Sequence, residues 1–133
     1  MKIYGIGTDI VKCARIEKLW HEHGENFCRR ILSEYEFQAF LNQKSNQVGF
    51  LAKRFAAKEA VVKALGTGFR DAVLLTQVGI ETDDKGRPTV VFYGKTKDYV
   101  DSLGKFEVQI SLADEEEFVV AFVVISVYIN THG

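Results

Sequence analysis

The chain has little of what would mark a disulfide-stapled, membrane or nucleic-acid-coating protein. Of its 133 residues only two are cysteine, Cys13 and Cys28, and they form no Cys-x-x-Cys pair. That argues against a disulfide framework or a cysteine zinc site and fits two reduced thiols in a cytosolic protein. No apolar run reaches the length of a membrane span. The first residues, Met1-Lys2-Ile3-Tyr4-Gly5, enter a strand-like pattern at once, without the apolar core of a signal peptide. With 17 Lys and Arg against 18 Asp and Glu, a surface that is basic throughout is excluded, and only a local basic patch stays open. There is no Walker phosphate loop and no Ser-His-Asp or Cys-His arrangement. His21 and His23 stand two apart, so on a helix they point to different sides, and His132 falls in a terminal tail.

What is present reads as one domain, residues 1–133, long enough to bury a core. Residues 3–11 have strand character, with Ile6, Thr8 and Ile10 on one face and Gly5, Gly7 and Asp9 on the other. Helical segments follow at 14–21, 27–31, about 34–41 and 48–65. The third begins with a capping box, Ser33 followed by Glu36 three residues on, and Gly66 suits the end of the fourth. The second half changes character. Residues 73–81 and 89–93 flank the turn Asp83-Asp84-Lys85-Gly86-Arg87-Pro88 as a hairpin, and 95–103 is helical up to Gly104. An alternating strand around Val108, Ile110 and Leu112 then leads to 118–127, apolar on both faces and therefore central in its sheet. Helices early and antiparallel strands late make an α+β fold, a sheet packed with helices that the N-terminal strand must join.

Chemistry concentrates in two places. On the helix 48–65, Val48, Ala52, Phe55, Ala56, Glu59, Val62 and Lys63 share one side, which predicts close packing with two charges inside it. An i,i+4 pair gains only a few tenths of a kcal/mol, roughly, too little to justify a buried location for Glu59 and Lys63. A cation at Glu59 and an anion at Lys63 account for them better. In Gly5-x-Gly7-x-Asp9 the glycines clear space beside the Asp9 carboxylate. Two readings stand there: a ligand or another chain approaching closely, or a packed helix with Asp9 as a cap. Asp9 and Glu59 together supply two hard oxygen ligands, an incomplete Mg²⁺ shell of the kind that water and substrate phosphates fill. Arg54 and Lys58, one turn apart and both cationic, suit a phosphate between them or a solvated basic face. Gly66-Thr67-Gly68 suits either a ligand near backbone N–H groups or a plain helix stop.

These motifs carry a resemblance. Gly5-Ile-Gly-Thr-Asp9-Ile-Val11 with Arg15-Ile16-Glu17, then Phe50-Leu-Ala-Lys-Arg54-Phe-Ala-Ala-Lys58-Glu59-Ala and Lys63-Ala-Leu-Gly-Thr-Gly68, resemble the bacterial holo-[acyl-carrier-protein] synthases. These are the short, single-domain branch of the 4′-phosphopantetheinyl transferases, and the likeness covers essentially the whole chain. It implies the fold of that family, a cytoplasmic location and transfer of the phosphopantetheine arm of coenzyme A to a serine of apo acyl carrier protein in fatty-acid synthesis, releasing 3′,5′-ADP. By the same resemblance Asp9 and Glu59 hold Mg²⁺, and Asp9, Glu59 and Lys63 are catalytic. Arg54, Lys58, Lys63, Gly66 and Gln109 contact the coenzyme. Arg15 and Lys18 meet the acidic carrier protein, with Arg29 and Arg30 available beside them, and the active form is a homotrimer with sites between subunits. No nucleic acid and no membrane is implied.

The chain departs from the pattern at Gln109, where many relatives carry histidine; glutamine can hydrogen-bond a phosphate but is neither a cation nor a base near neutral pH. The serine proton then goes to Glu59 or to a water held at the carboxylates, and the residues do not choose between them. Two other readings stand beside the first: a transferase serving a carrier of a specialised polyketide or peptide pathway, and a non-catalytic coenzyme- or carrier-binding module. The intact set Asp9, Glu59 and Lys63 speaks against the module.

Overall fold

Residues 1–68 and 73–128 are described by the computed structural model; His132 lies outside them. The element order is β1 (Lys2–Lys12), α1 (Cys13–His23), α2 (Glu25–Ile31), α3 (Glu34–Leu41) and α4 (Gln47–Leu65), then a 3₁₀ turn (Leu75–Gln77). There follow β2 (Val78–Thr82), β3 (Pro88–Phe92), α5 (Gly94–Asp101), β4 (Phe106–Asp114) and β5 (Phe118–Val127). The expected α+β architecture is what folds. The strands form two antiparallel sheets, β1-β5-β4 and the β2-β3 hairpin. The hairpin stays separate and abuts β4, with Phe92 edge-on to Phe106 at 5.7 Å.

β5 is central, as its two-sided apolar pattern requires, and pairs β1 on one side and β4 on the other. Its inner residues Val119, Ala121, Val123 and Ile125 pack against α4 and are buried. The outer face is not covered: Ile6 and Ile10 of β1 are 60% and 64% exposed, and Val120 and Phe122 of β5 are 40% and 43% exposed.

α4 runs between this sheet and the α1–α3 side of the molecule, so it is buried on nearly every side. Ala52, Ala56 and Val62 of the expected stripe are inside, but so are Ala57, Lys58, Val61 and Leu65. α3 starts with the complete capping box: the Ser33 hydroxyl accepts from the Glu36 N–H at 3.2 Å, and the Glu36 carboxylate accepts from the Ser33 N–H at 2.8 Å.

Gly5 and Gly7 let β1 lie directly on the α4 backbone. A Cβ on Gly5 would stand 1.9 Å from the Ala64 carbonyl oxygen, and one on Gly7 2.0 Å from that of Ala60. The packed-helix reading of these glycines is therefore the right one. Asp9 shares their face, so the same close approach delivers its carboxylate to α4.

Candidate functional site

Asp9 reaches the site from β1, and Glu59 and Lys63 reach it from one face of α4, a turn apart. The Lys63 amine donates to Asp9 Oδ1 and to the Thr8 carbonyl, each at 3.0 Å. Lys63 thus bonds across to the strand rather than back to Glu59. Burial raises the Glu59 carboxyl above its ordinary value and the Asp9 charge adds to the rise, while Lys63 and Arg15 pull it down. Arg15 stands over the Phe55 ring at 5.7 Å, at the edge of this cluster. Two carboxylates are therefore held side by side, balanced by one amine and one guanidinium. Their like-charge strain and hard oxygen donors suit a divalent cation. Among the described residues no group of three or more His, Cys, Asp or Glu makes a closed cage. A cation here would depend on Asp9, Glu59 and non-protein oxygens.

Three expectations from the sequence need correction. First, the buried charge on α4 is not at Glu59 or Lys63; Lys63 is exposed and Glu59 half-buried, whereas Lys58 has no exposed surface. Helical spacing shows which residues share a face but not how far neighbouring elements wrap around it. Second, Lys58 is not a coenzyme contact. Its amine donates to Glu36 Oε1 at 2.5 Å and to the Leu75 carbonyl at 3.0 Å. Burial pushes its pKa down to about 8 against the pull of Glu36. The repulsion between Arg54 and Lys58 is relieved by this carboxylate, which also lies 3.4 Å from Arg54 Nε, so no phosphate is needed between them.

Third, the Gly66 N–H is committed to the Val62 and Lys63 carbonyls at 3.0 and 3.1 Å, and Gly66 sits at φ 78°, so it is the helix stop and not a donor to a ligand. Gln109, expected at the coenzyme, does not join Asp9 within one chain. It pairs with Val124, which pairs with Ile6 on the outer face, whereas Asp9 pairs with Ala121 on the inner one. The pleat sends the two side chains to opposite sides of the sheet. Lys18 is an ordinary surface cation 4.0 Å from Glu22, and Arg29 is paired with Glu25 at 3.3 Å, which thins the basic surface expected of the early helices.

Gln109 and Arg54 do share a second feature, a groove of about 880 Å³ between α4, the hairpin turn and the edge of β4. Lys53 and Arg87 also line it, each with a carboxylate partner: Asp114 at 3.5 Å and Asp83 at 3.1 Å. Lys53 and Arg87 carry no groove signal in the sequence, because one stands on α4 and the other in the hairpin turn and only the fold brings them together. The role of Glu36 as a cap likewise conceals its contact with α4.

The model of the 4′-phosphopantetheinyl transferase superfamily matches residues 5–123. A protein of Halorhodospira halophila named holo-[acyl-carrier-protein] synthase is 46% identical over 123 residues, 92% of this chain and 97% of its own. The crystal structure of the Neisseria meningitidis holo-[acyl-carrier-protein] synthase superposes with a TM-score of 0.89 at 44% identity, over 93% of this chain and 98% of that one. The Bacillus anthracis holo-(acyl-carrier-protein) synthase, solved in complex with CoA (3′,5′-ADP), superposes with a TM-score of 0.81 at 35% identity, over 96% of this chain and all of that one.

Proposed function

The chain belongs to the 4′-phosphopantetheinyl transferase superfamily, and we propose that it is a holo-[acyl-carrier-protein] synthase. One domain, residues 1–133, transfers the 4′-phosphopantetheine arm of coenzyme A to a serine of apo acyl carrier protein of fatty-acid synthesis. The observation that carries this reading is the Asp9–Lys63–Glu59 cluster, built where β1 lies against α4.

Asp9 and Glu59 would hold Mg²⁺, which when bound draws in the pyrophosphate and offsets charge on the leaving group. Lys63, already against Asp9, is placed to meet the same phosphate charge. The carrier serine oxygen forms a bond to the β-phosphorus, the bond to the bridging oxygen breaks, and 3′,5′-ADP leaves with the electron pair. The serine proton passes to the Glu59 carboxylate, directly or through a water; burial, with the Asp9 charge beside it, raises that carboxyl above its ordinary value. Arg54 meets the coenzyme in the groove, and Arg15, beside Phe55, meets the acidic carrier together with Lys18.

A homotrimer with sites between subunits accounts for two features that one chain leaves unexplained. The apolar outer face of the sheet is exposed in a single chain, and contiguous apolar surface of this kind marks an interface. Gln109 lies on that face, so a neighbour's Gln109 can reach the coenzyme bound at Asp9 and Glu59. Both cysteines are free, and no described helix is long and apolar enough to cross a membrane, in keeping with a cytoplasmic location.

The test is intact-mass spectrometry of apo acyl carrier protein incubated with coenzyme A, Mg²⁺ and this protein. A phosphopantetheine mass gain that disappears in EDTA and in Asp9→Ala is expected. No gain on any carrier tried would sink the reading.

A further inference from the structure

The buried cluster around Glu36 is larger than a helix cap requires. A capping box needs Glu36 only to accept from the Ser33 N–H, which a glutamine does as well. Here the carboxylate is fully buried and faces four donors. Oε1 accepts from Ser33 N at 2.8 Å and Lys58 Nζ at 2.5 Å. Oε2 accepts from the Ile80 N–H at 2.9 Å and lies 3.4 Å from Arg54 Nε. A buried ionised group is costly to desolvate, and pairing alone is a weak reason to keep one.

What the charge does is visible at its outer end. Glu36 carries one negative charge and is shared by two cations, Lys58 and Arg54, so the cluster is net positive by one. Lys58 is sealed in the core, while Arg54 lines the groove. Of the groove's other two described cations, Lys53 and Arg87, each has a carboxylate of its own. The Arg54 guanidinium lies over the Phe50 ring at 4.4 Å, which sets its plane, and its buried Nε makes no hydrogen bond. The Glu36 carboxylate, with Oε2 3.4 Å away, draws this edge inward, while Arg54 also lines the groove. Through Ile80 the same carboxylate ties β2, and with it the hairpin wall bearing Arg87, to α4.

We propose that Glu36 is a positioning residue for coenzyme binding: it fixes Arg54 and the hairpin wall so that the groove holds a phosphate of the coenzyme that Glu36 never touches. This rests on the transferase reading. The pyrophosphate belongs at Asp9, Glu59 and Lys63, so the phosphate left for the groove is the one on the ribose 3′ position. Losing a charge-assisted hydrogen bond of this kind should cost on the order of tenfold in affinity.

The test compares Glu36→Gln with wild type in three readings: calorimetric affinity for coenzyme A, affinity for 3′-dephospho-coenzyme A, and kcat on apo carrier protein. The expected result is a loss of about tenfold for coenzyme A, little change for the dephospho form, and kcat near wild type. Adding Glu36→Gln to Arg54→Gln should cause no further loss. Equal weakening of both ligands, or a fall in kcat with unchanged affinity, would overturn the proposal. Should Glu36→Gln not fold, the double variant Glu36→Gln/Lys58→Met removes the buried pair together and is read the same way. Absence of transfer by the wild type would instead defeat the transferase reading, so the two failures are distinguishable.

Discussion

Replacing Gly7 by alanine should separate the two halves of the site without altering any candidate functional side chain chemically. The added Cβ would sit 2.0 Å from the Ala60 carbonyl oxygen and 2.8 Å from the Ala64 amide nitrogen. Both are backbone atoms of a buried helix, so no rotamer change relieves the clash. Ordinary contact begins at 3.4 Å, and β1 must therefore retreat from α4 by about 1.4 Å. Overpacking of this kind costs roughly 1–3 kcal/mol. For a chain of this length that corresponds to a fall of about 3–5 °C in Tm per kcal/mol. The retreat also carries Asp9, two residues on, away from α4. Its 3.0 Å bond to Lys63 would pass beyond hydrogen-bond reach, and the spacing to Glu59 would open with it. A misplacement near 1 Å at a reacting centre can lower the rate on the order of 100-fold. Thermal melts and carrier-protein mass spectrometry read the two effects separately. Gly5→Ala, 1.9 Å from the Ala64 carbonyl oxygen, should cost similar stability but less activity, because it lies farther from Asp9. A Gly7→Ala protein with wild-type Tm and wild-type transfer rate would refute the account of how β1 meets α4.

Glu59→Gln should abolish transfer and yet stabilise the fold slightly, by roughly a few tenths of a kcal/mol after solvent screening, because it removes a charge that is partly buried and beside Asp9; a lower Tm would contradict that strain. Lys58, held at about 8 by burial and faced by Glu36, Arg54 and the Leu75 carbonyl, is charged in both states at lower pH. Between about 8 and its ordinary 10.5 only the unfolded chain keeps the proton, so this group's contribution to stability rises with pH across that window. Lys58→Met leaves the Glu36 carboxylate buried without its main partner and starts less stable, so its urea midpoint should fall further below that of wild type as pH rises across the window, and a constant difference would count against the depressed pKa. Phe122→Glu, on the outer sheet face, should convert the oligomer to monomer in sedimentation and remove transfer activity with it; an active monomer would exclude a site shared between chains.

Much of the molecule could be read from local patterns because the forces behind them act over a few residues. The Ser33–Glu36 capping box, the Gly66 stop, the hairpin turn and the two-sided apolar run of β5 all fold as their spacing requires. The meeting of Asp9 with α4 was partly legible too, since Gly5 and Gly7 on its strand face leave room for a helix backbone to lie against the strand. What the local pattern could not show is which charges end up inside. Lys58 and Glu59 are neighbours in sequence, yet α3 and β2 cover the first while the second opens toward β1.

The amino-acid sequence by itself determined the elements, the α+β class and the pair of carboxylates, because periodicity, capping and side-chain chemistry are properties of short segments. Tertiary structure alone decided that Glu36 neutralises Lys58, that Arg54 faces a groove, and that Gln109 and Asp9 lie on opposite sides of the sheet. Those outcomes depend on what packs over each face. That is set by segments distant in the chain and, on the uncovered side of the sheet, by the neighbouring chains we propose.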